Sequence, residues 1–277
     1  MSVIYSIPIH GRFADLLGLN EELYDNQLLL SDSRRRVEQL LTSLGDPAIK
    51  GNIADVVEDY VIFHIEAFTT ALDPKELLAN HAQEITQILR VERQALSDQE
   101  IEDALASKIS FSSHDIALVD WNASLLLDRD GDDVRTVLEF ANVELLEMRY
   151  LDQKLDRALN QAYETLSKRP VTLSRLLGYY SADLRSVAEL QVDNALIFED
   201  VNNTLKLLGD QYLARVYRIA NKRFHLDEWD GSILRKLQTL ESIYEKISDQ
   251  GSNRRMEIIE WVIVVLIAVS IGLELMK

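Results

Sequence analysis

The densest set of potential ligand groups in the chain is Asp128-Arg-Asp-Gly-Asp-Asp133. Such a run invites calcium chemistry, because EF-hand loops begin with carboxylates at alternating positions. The register fails. With Gly131 at the sixth loop position, the first would be Leu126, which offers no side-chain oxygen. The run therefore reads as a turn that also caps the helix after it. The histidines, His10, His64, His81, His114 and His225, are scattered. None forms an H-x-x-x-H pair, and none stands beside carboxylates at ligand spacing. His64 sits in an apolar run and reads as a packed strand residue. A di-iron bundle would need Glu-x-x-His on two helices, and the chain has none. The helical carboxylates Glu139, Glu144, Glu147, Asp152, Asp156, Glu189 and Asp193 read instead as a solvated face. Phosphate-cradling glycine loops and G-x-S-x-G elbows are absent from the sequence. No catalytic, cofactor-binding or metal-ligating residue is assigned, no cofactor is expected, and the chain reads as a non-enzyme. Arg34-Arg35-Arg36 is the one basic cluster of its region, open to phosphate contact or to a place on a solvated helix face.

Composition narrows the partners. The 277 residues carry a formal net charge of −17 and no cysteine, and the isoelectric point is near 4.7. Without cysteine there are no disulfides, thiolate metal sites or iron–sulfur clusters. Nucleic acid and anionic headgroups would repel such a chain, so direct DNA binding is not expected. Attachment to a membrane would have to come from apolar insertion. Met1-Ser-Val-Ile-Tyr-Ser-Ile-Pro-Ile-His10 has neither a basic leader nor an arginine-rich presequence, and a bacterial cytoplasmic body is expected.

The elements that must position these residues come in two styles. Up to about residue 130 the pattern is mixed. Val3–Ile9 reads as a strand with Pro8 at an edge, Leu16–Leu19 as a helical turn, and Gln27–Leu30 as a short strand. Arg34–Leu44 reads as a helix capped by Asp32 or Ser33. Tyr60–Ile65, nearly continuous in apolar residues, reads as a central strand. Asp73-Pro74 opens a helix to about Arg93, and Ser97-x-x-Glu100 opens a shorter one. Ser110–Phe111, Ile116–Asp120 and Ser124–Leu127 read as a strand meander. From Val134 the period becomes helical. Leu138, Ala141, Leu145, Met148, Leu155, Ala162 and Leu166 form one seam. Glu144 falls off that seam, so Glu144→Gln is expected to be neutral. A second seam runs from Val187 through Asn194 and Ile197 to Tyr212, and a third through Ile233, Leu237, Leu240, Tyr244 and Ile247. Between the last two, Phe224, Asp227 and Trp229 form an aromatic linker. It is either a recognition tip or an apolar plug closing the hairpin end.

The C-terminal stretch is different again. Arg254 and Arg255 precede Trp261–Leu273, a run without charge. As a helix, the flanked stretch would reach about 30 Å, one hydrocarbon core. It reads as a membrane anchor, with a buried core helix as the alternative. Arg254, Arg255, Glu260, Trp261 and Leu273 would mark the anchor. Glu257, Glu260, Val264, Ile267, Ile271 and Glu274 share one stripe, which predicts a homo-oligomer.

Arg255-Met-Glu-x-x-Glu-Trp261 followed by Ile/Val-rich sequence, with Phe224-His-Leu-Asp-Glu-Trp229 upstream, resembles the YagE/RMD1 family (domain of unknown function 155). The resemblance implies a membrane-anchored protein whose partner is the translation machinery. The expected architecture is α+β. A small N-terminal α/β-type domain (1–130) precedes long antiparallel coiled-coil-like helices (131–253) and a C-terminal transmembrane helix (254–277). The expected function is a membrane-tethered, non-enzymatic scaffold or adaptor at the bacterial inner membrane. An oligomeric channel or transport-related protein, and an enzyme with an unrecognised N-terminal site, are the alternatives.

Overall fold

Side-chain caps decide where three of the helices begin. The computed structural model describes residues 1–44, 53–69, 72–167 and 211–246. Helix α1 spans Asp15–Leu23. Helix α2 spans Gln27–Leu44, because the Asn26 side-chain oxygen accepts from the amides of both Leu28 and Leu29 at 3.1 Å. Gln27–Leu30 is therefore the first turn of a helix and not the expected strand. Asp32 lies inside that helix, where it accepts from the Tyr5 hydroxyl at 2.7 Å and from the Arg36 guanidinium at 2.6 Å. The expected strand at Val3–Ile9 is also corrected. The segment has no regular secondary structure and pairs with no strand among the described residues, and Ile4, Ile7 and Ile9 are exposed.

Helix α3 (Pro74–Arg90) and helix α4 (Asp98–Ala106) start where the sequence places them. Asp73 accepts from the Lys75 amide at 2.7 Å, and Ser97 accepts from the Glu100 amide at 3.3 Å. Helix α3 stops at Arg90 because Val91 adopts the left-handed conformation (φ 54°).

The sheet has four strands: β1 (Val61–Ile65), β2 (Lys108–Ile109), β3 (Ile116–Val119) and β4 (Ala123–Leu127). Their order is β1-β4-β3-β2. Strand β1 runs parallel to β4, with Phe63 opposite Leu125, and the other two pairings are antiparallel. The sheet is thus mixed. Strand β1 lies at its end rather than its centre, and only Phe63 within it is buried. Strands β3 and β4 are buried at every residue. Leu77, Ile85, Ile88 and Leu89 of α3 close the core against Leu118 and Leu125. Their spacing of three, four and multiples of these puts them on one helix face.

Helix α5 covers Asp132–Ser167, α6 covers Gln211–Phe224, and α7 covers residues 226–246. His225, at φ 57°, separates the last two. Two compact units are present. One is built from the described residues of Met1–Tyr150 and Ile197–Asp230, the other from those of Leu151–Leu196 and Gly231–Lys277. In the second unit, Lys236 Nζ bridges Asp152 at 2.7 Å and Asp156 at 2.6 Å, while Leu155, Ile233 and Leu240 are fully buried. The seam residues Leu138, Ala141, Leu145, Met148, Leu155 and Ala162 are all buried. The seam expected from Val187 through Ile197 lies outside the described residues.

The fold class requires a correction. The protein is α+β, with seven helices and one small mixed sheet among the described residues. None of the described helices is long and apolar enough to cross a membrane. Helix α5 has the length, at 36 residues, but charged side chains recur along it. Arg254, Arg255, Glu260, Trp261 and Leu273, the expected anchor, lie outside the described residues. The transmembrane assignment, and with it the inner-membrane localisation, is withdrawn.

Candidate binding groove

The β3–β4 connection is short. Asp120, Trp121 and Asn122 make the turn, closed by the Asp120 amide donating to the Ala123 carbonyl at 3.0 Å. Asp120 points inward and is fully buried. Its Oδ1 accepts from the Trp121 amide at 2.7 Å and from Arg223 Nε at 2.8 Å. Its Oδ2 accepts from Arg90 Nε at 3.1 Å. One buried carboxylate thus joins the end of α3 to the end of α6. Asp103 of α4 extends the network, meeting Arg90 Nη2 at 2.6 Å and Arg223 Nη1 at 2.9 Å, and Glu100 also pairs with Arg90. The Arg223 guanidinium holds the Asp103 carboxyl below its ordinary range.

The main chain of the same turn is held as well. The Tyr60 hydroxyl donates to the Asp120 carbonyl at 2.8 Å. Its ring meets Phe224 edge-on, with centroids 5.4 Å apart. Burial pushes the Tyr60 hydroxyl well above its usual pKa. Tyr60 therefore acts as a neutral donor.

A groove of about 610 Å³ opens beside this network. Leu145 and Phe224, both buried, line it. Trp121 and Tyr24, 54% and 52% exposed, also face it, and Trp229 is a further aromatic in the lining. Glu58 pairs with Arg149 there. Burial pushes the Glu58 carboxyl up, against the pull of that arginine. Asp59 accepts from the Asp25 amide at 3.0 Å. All of these residues belong to the first compact unit.

The expected interaction tip is divided between core and surface. Phe224 is buried on Tyr60. Trp229 is half-buried and lines the groove. Asp227 is exposed and accepts from the Asn221 amide group at 3.4 Å. Only His225 interrupts the helix between Phe224 and Trp229, so the linker is a single residue.

Residues 1–133 match the family described as "Uncharacterized protein MJ0711, N-terminal domain".

The chain is also 27% identical, over 232 residues, to "Uncharacterized protein MJ0711" of Methanocaldococcus jannaschii, covering 82% of this chain and 69% of that protein. No solved structure matches. The resemblance to the YagE/RMD1 family is overturned by these matches, which point to a different family. The motifs behind it were short, a few charged and aromatic residues before an Ile/Val-rich run.

Sequence reasoning also missed Asp120, Arg90, Arg223 and Trp121. A turn signal was available in Asp120-Trp121-Asn122 between two apolar runs. The arginines, 133 positions apart, gave no local signal. Glu144, assigned to a solvated face, is 4% exposed and accepts from the Tyr217 hydroxyl at 2.6 Å. His64 is a half-buried strand residue, with Nε2 at 2.9 Å from the Asp128 carbonyl. Asp128–Gly131 connects β4 to α5, with the Asp130 amide donating to the Asp128 side chain at 3.1 Å, and Asp132 and Asp133 lie in the first turn of α5.

Proposed function

We propose that this chain is a non-enzymatic adaptor that takes a segment of a protein partner in the Trp121 groove. The observation that carries the reading is the pairing of exposed aromatic faces with charges that are already satisfied. Trp121 sits at the tip of a turn fixed by Asp120, Arg90, Arg223 and Tyr60. An aromatic anchor held this rigidly loses little freedom on binding, and such anchors dominate protein interfaces. The buried Leu145 and Phe224 side chains give the groove an apolar base, while the ion pairs around it supply a polar rim.

Selection of random displayed peptides against the full-length protein tests the reading. Peptides should be enriched, and their affinity should fall about tenfold or more in Trp121→Ala. Leu28→Ala, at an exposed site on α2 away from the groove lining, should leave affinity unchanged. Absence of enriched peptides, or equal binding by Trp121→Ala, would refute the groove as a docking site.

A further inference from the structure

We propose that the groove recognises a cationic side chain, an arginine or lysine on a basic segment of the partner. This rests on the adaptor reading of the same groove. The first ground is the state of its arginines. Arg90 already meets Asp120, Asp103 and Glu100. Arg223 meets Asp120 and Asp103, and Arg149 meets Glu58. An anion such as a phosphate would meet guanidinium groups whose charge carboxylates already offset, whereas a cation can share those carboxylates.

The second ground is the remaining charge. Glu58, Asp59, Asp103, Asp120 and Glu100 set five carboxylates around three guanidinium groups. Among the described residues, the Asp59 carboxylate takes the Asp25 amide and no cation. It is exposed at the lining. His225 does not reverse the balance, since its Nδ1 lies 3.2 Å from Glu228.

The third ground is aromatic. Trp121, Tyr24 and Trp229 line the groove. Indole and phenol faces attract a cation that has lost part of its water, tryptophan most strongly. Guanidinium groups are weakly hydrated and stack on such faces readily. The net charge of −17 brings a basic segment towards this chain and keeps RNA or an acidic peptide away.

The test uses fluorescence anisotropy of a short labelled peptide alternating glycine and arginine, with a peptide of the same length carrying neutral citrulline instead. The full-length protein should bind the arginine peptide at least about tenfold more tightly. Trp121→Ala should remove most of that preference. Asp59→Asn keeps an oxygen for the Asp25 amide, and it should weaken binding more than Asp130→Asn, an equal charge change on an exposed turn outside the lining. Raising salt from about 50 mM to about 500 mM should weaken the arginine peptide only. Equal binding of both peptides, each sensitive to Trp121→Ala, would overturn the cation and leave the adaptor reading standing. Binding indifferent to Trp121→Ala and Asp59→Asn would place the contact elsewhere and overturn both. Failure of the arginine peptide to bind, with library peptides still retained by the groove, would overturn the cation alone.

Discussion

Replacing Asp120 with alanine should destabilise the first compact unit more than almost any other polar substitution in it. The carboxylate is fully buried and takes donors from Arg90 Nε, Arg223 Nε and the Trp121 amide. The two arginine side chains are themselves 11% and 15% exposed. Removing the carboxylate strands two nearly buried cations, whose remaining partners, Glu100 and Asp103, are more than half exposed. Breaking one partner of a buried ion pair costs about 3–5 kcal/mol. For a unit of this size that corresponds to a fall in Tm of roughly 6–20 °C. Asp120→Asn should lie between wild type and alanine, because its oxygen still accepts from the Trp121 amide while its NH2 group faces Arg90. Replacing all three charged groups together with Leu and Met should recover much of the loss, since an apolar substitute strands nothing. Urea unfolding followed by tryptophan fluorescence and circular dichroism measures each variant. A loss below about 1 kcal/mol for Asp120→Ala would mean that the network is solvated and contributes no more than surface pairs do. The Trp121 turn would then not be held rigidly by Asp120.

Two further outcomes are expected. Burial, with the like charges of Glu147, Asp227 and Asp230, raises the Glu144 carboxyl to about 7, although the Tyr217 hydroxyl bond pulls the other way. The folded protein therefore binds an extra proton between about pH 4.5 and 7, and stability should fall as pH rises through that window and then level off. Glu144→Gln, whose amide oxygen can still accept from Tyr217, should flatten the profile and gain on the order of 1–3 kcal/mol at pH 8. A pH profile of unfolding identical to wild type would refute this, and it replaces the expectation of a neutral substitution. Val91 ends α3 in the left-handed region, at φ 54° and ψ 48°, which a β-branched residue tolerates poorly. Val91→Gly should stabilise the protein by about 1 kcal/mol in the same denaturation assay, and a measured loss would show that the apolar contacts of Val91 outweigh its backbone strain.

The parts of the fold legible in the sequence were those governed by neighbours in the chain. Asp73 and Ser97 bond to amides two and three residues on, so a cap can be read without knowing the tertiary structure. The seam of α5 was legible because burial follows helical period. Val3–Ile9 fails on the same logic. Alternation there places Val3 and Tyr5 half-buried, but a strand needs a second strand, and none pairs with it among the described residues. Strand β1 shows that an apolar run gives membership of the sheet without position, since it lies at the end of the sheet and only Phe63 within it is buried.

The groove was harder to read for a physical reason. Its chemistry depends on Asp120, whose role comes from two arginines on helices far apart in the chain. Read alone, Arg90 and Arg223 look like ordinary last-turn helix cations. Read alone, Glu144 looks like a solvated residue, because a single seam leaves room for only one buried face on α5. Tyr217 of α6 covers a second face and buries it. Glu144 was taken for surface, and Asp120, Arg90 and Arg223 were passed over as charges, because the partner of each lay in another element. Charge is tolerated inside when a partner accompanies it. Among the described residues, these internal pairings leave the Asp59 carboxylate without a guanidinium, beside the aromatic side chains of the lining. Taken one residue at a time, the lining sets the three arginines Arg90, Arg149 and Arg223 against the three carboxylates Glu58, Asp59 and Asp103, and composition favours neither sign of ligand. The pairing geometry favours a cation, and the arginine–citrulline comparison tests it.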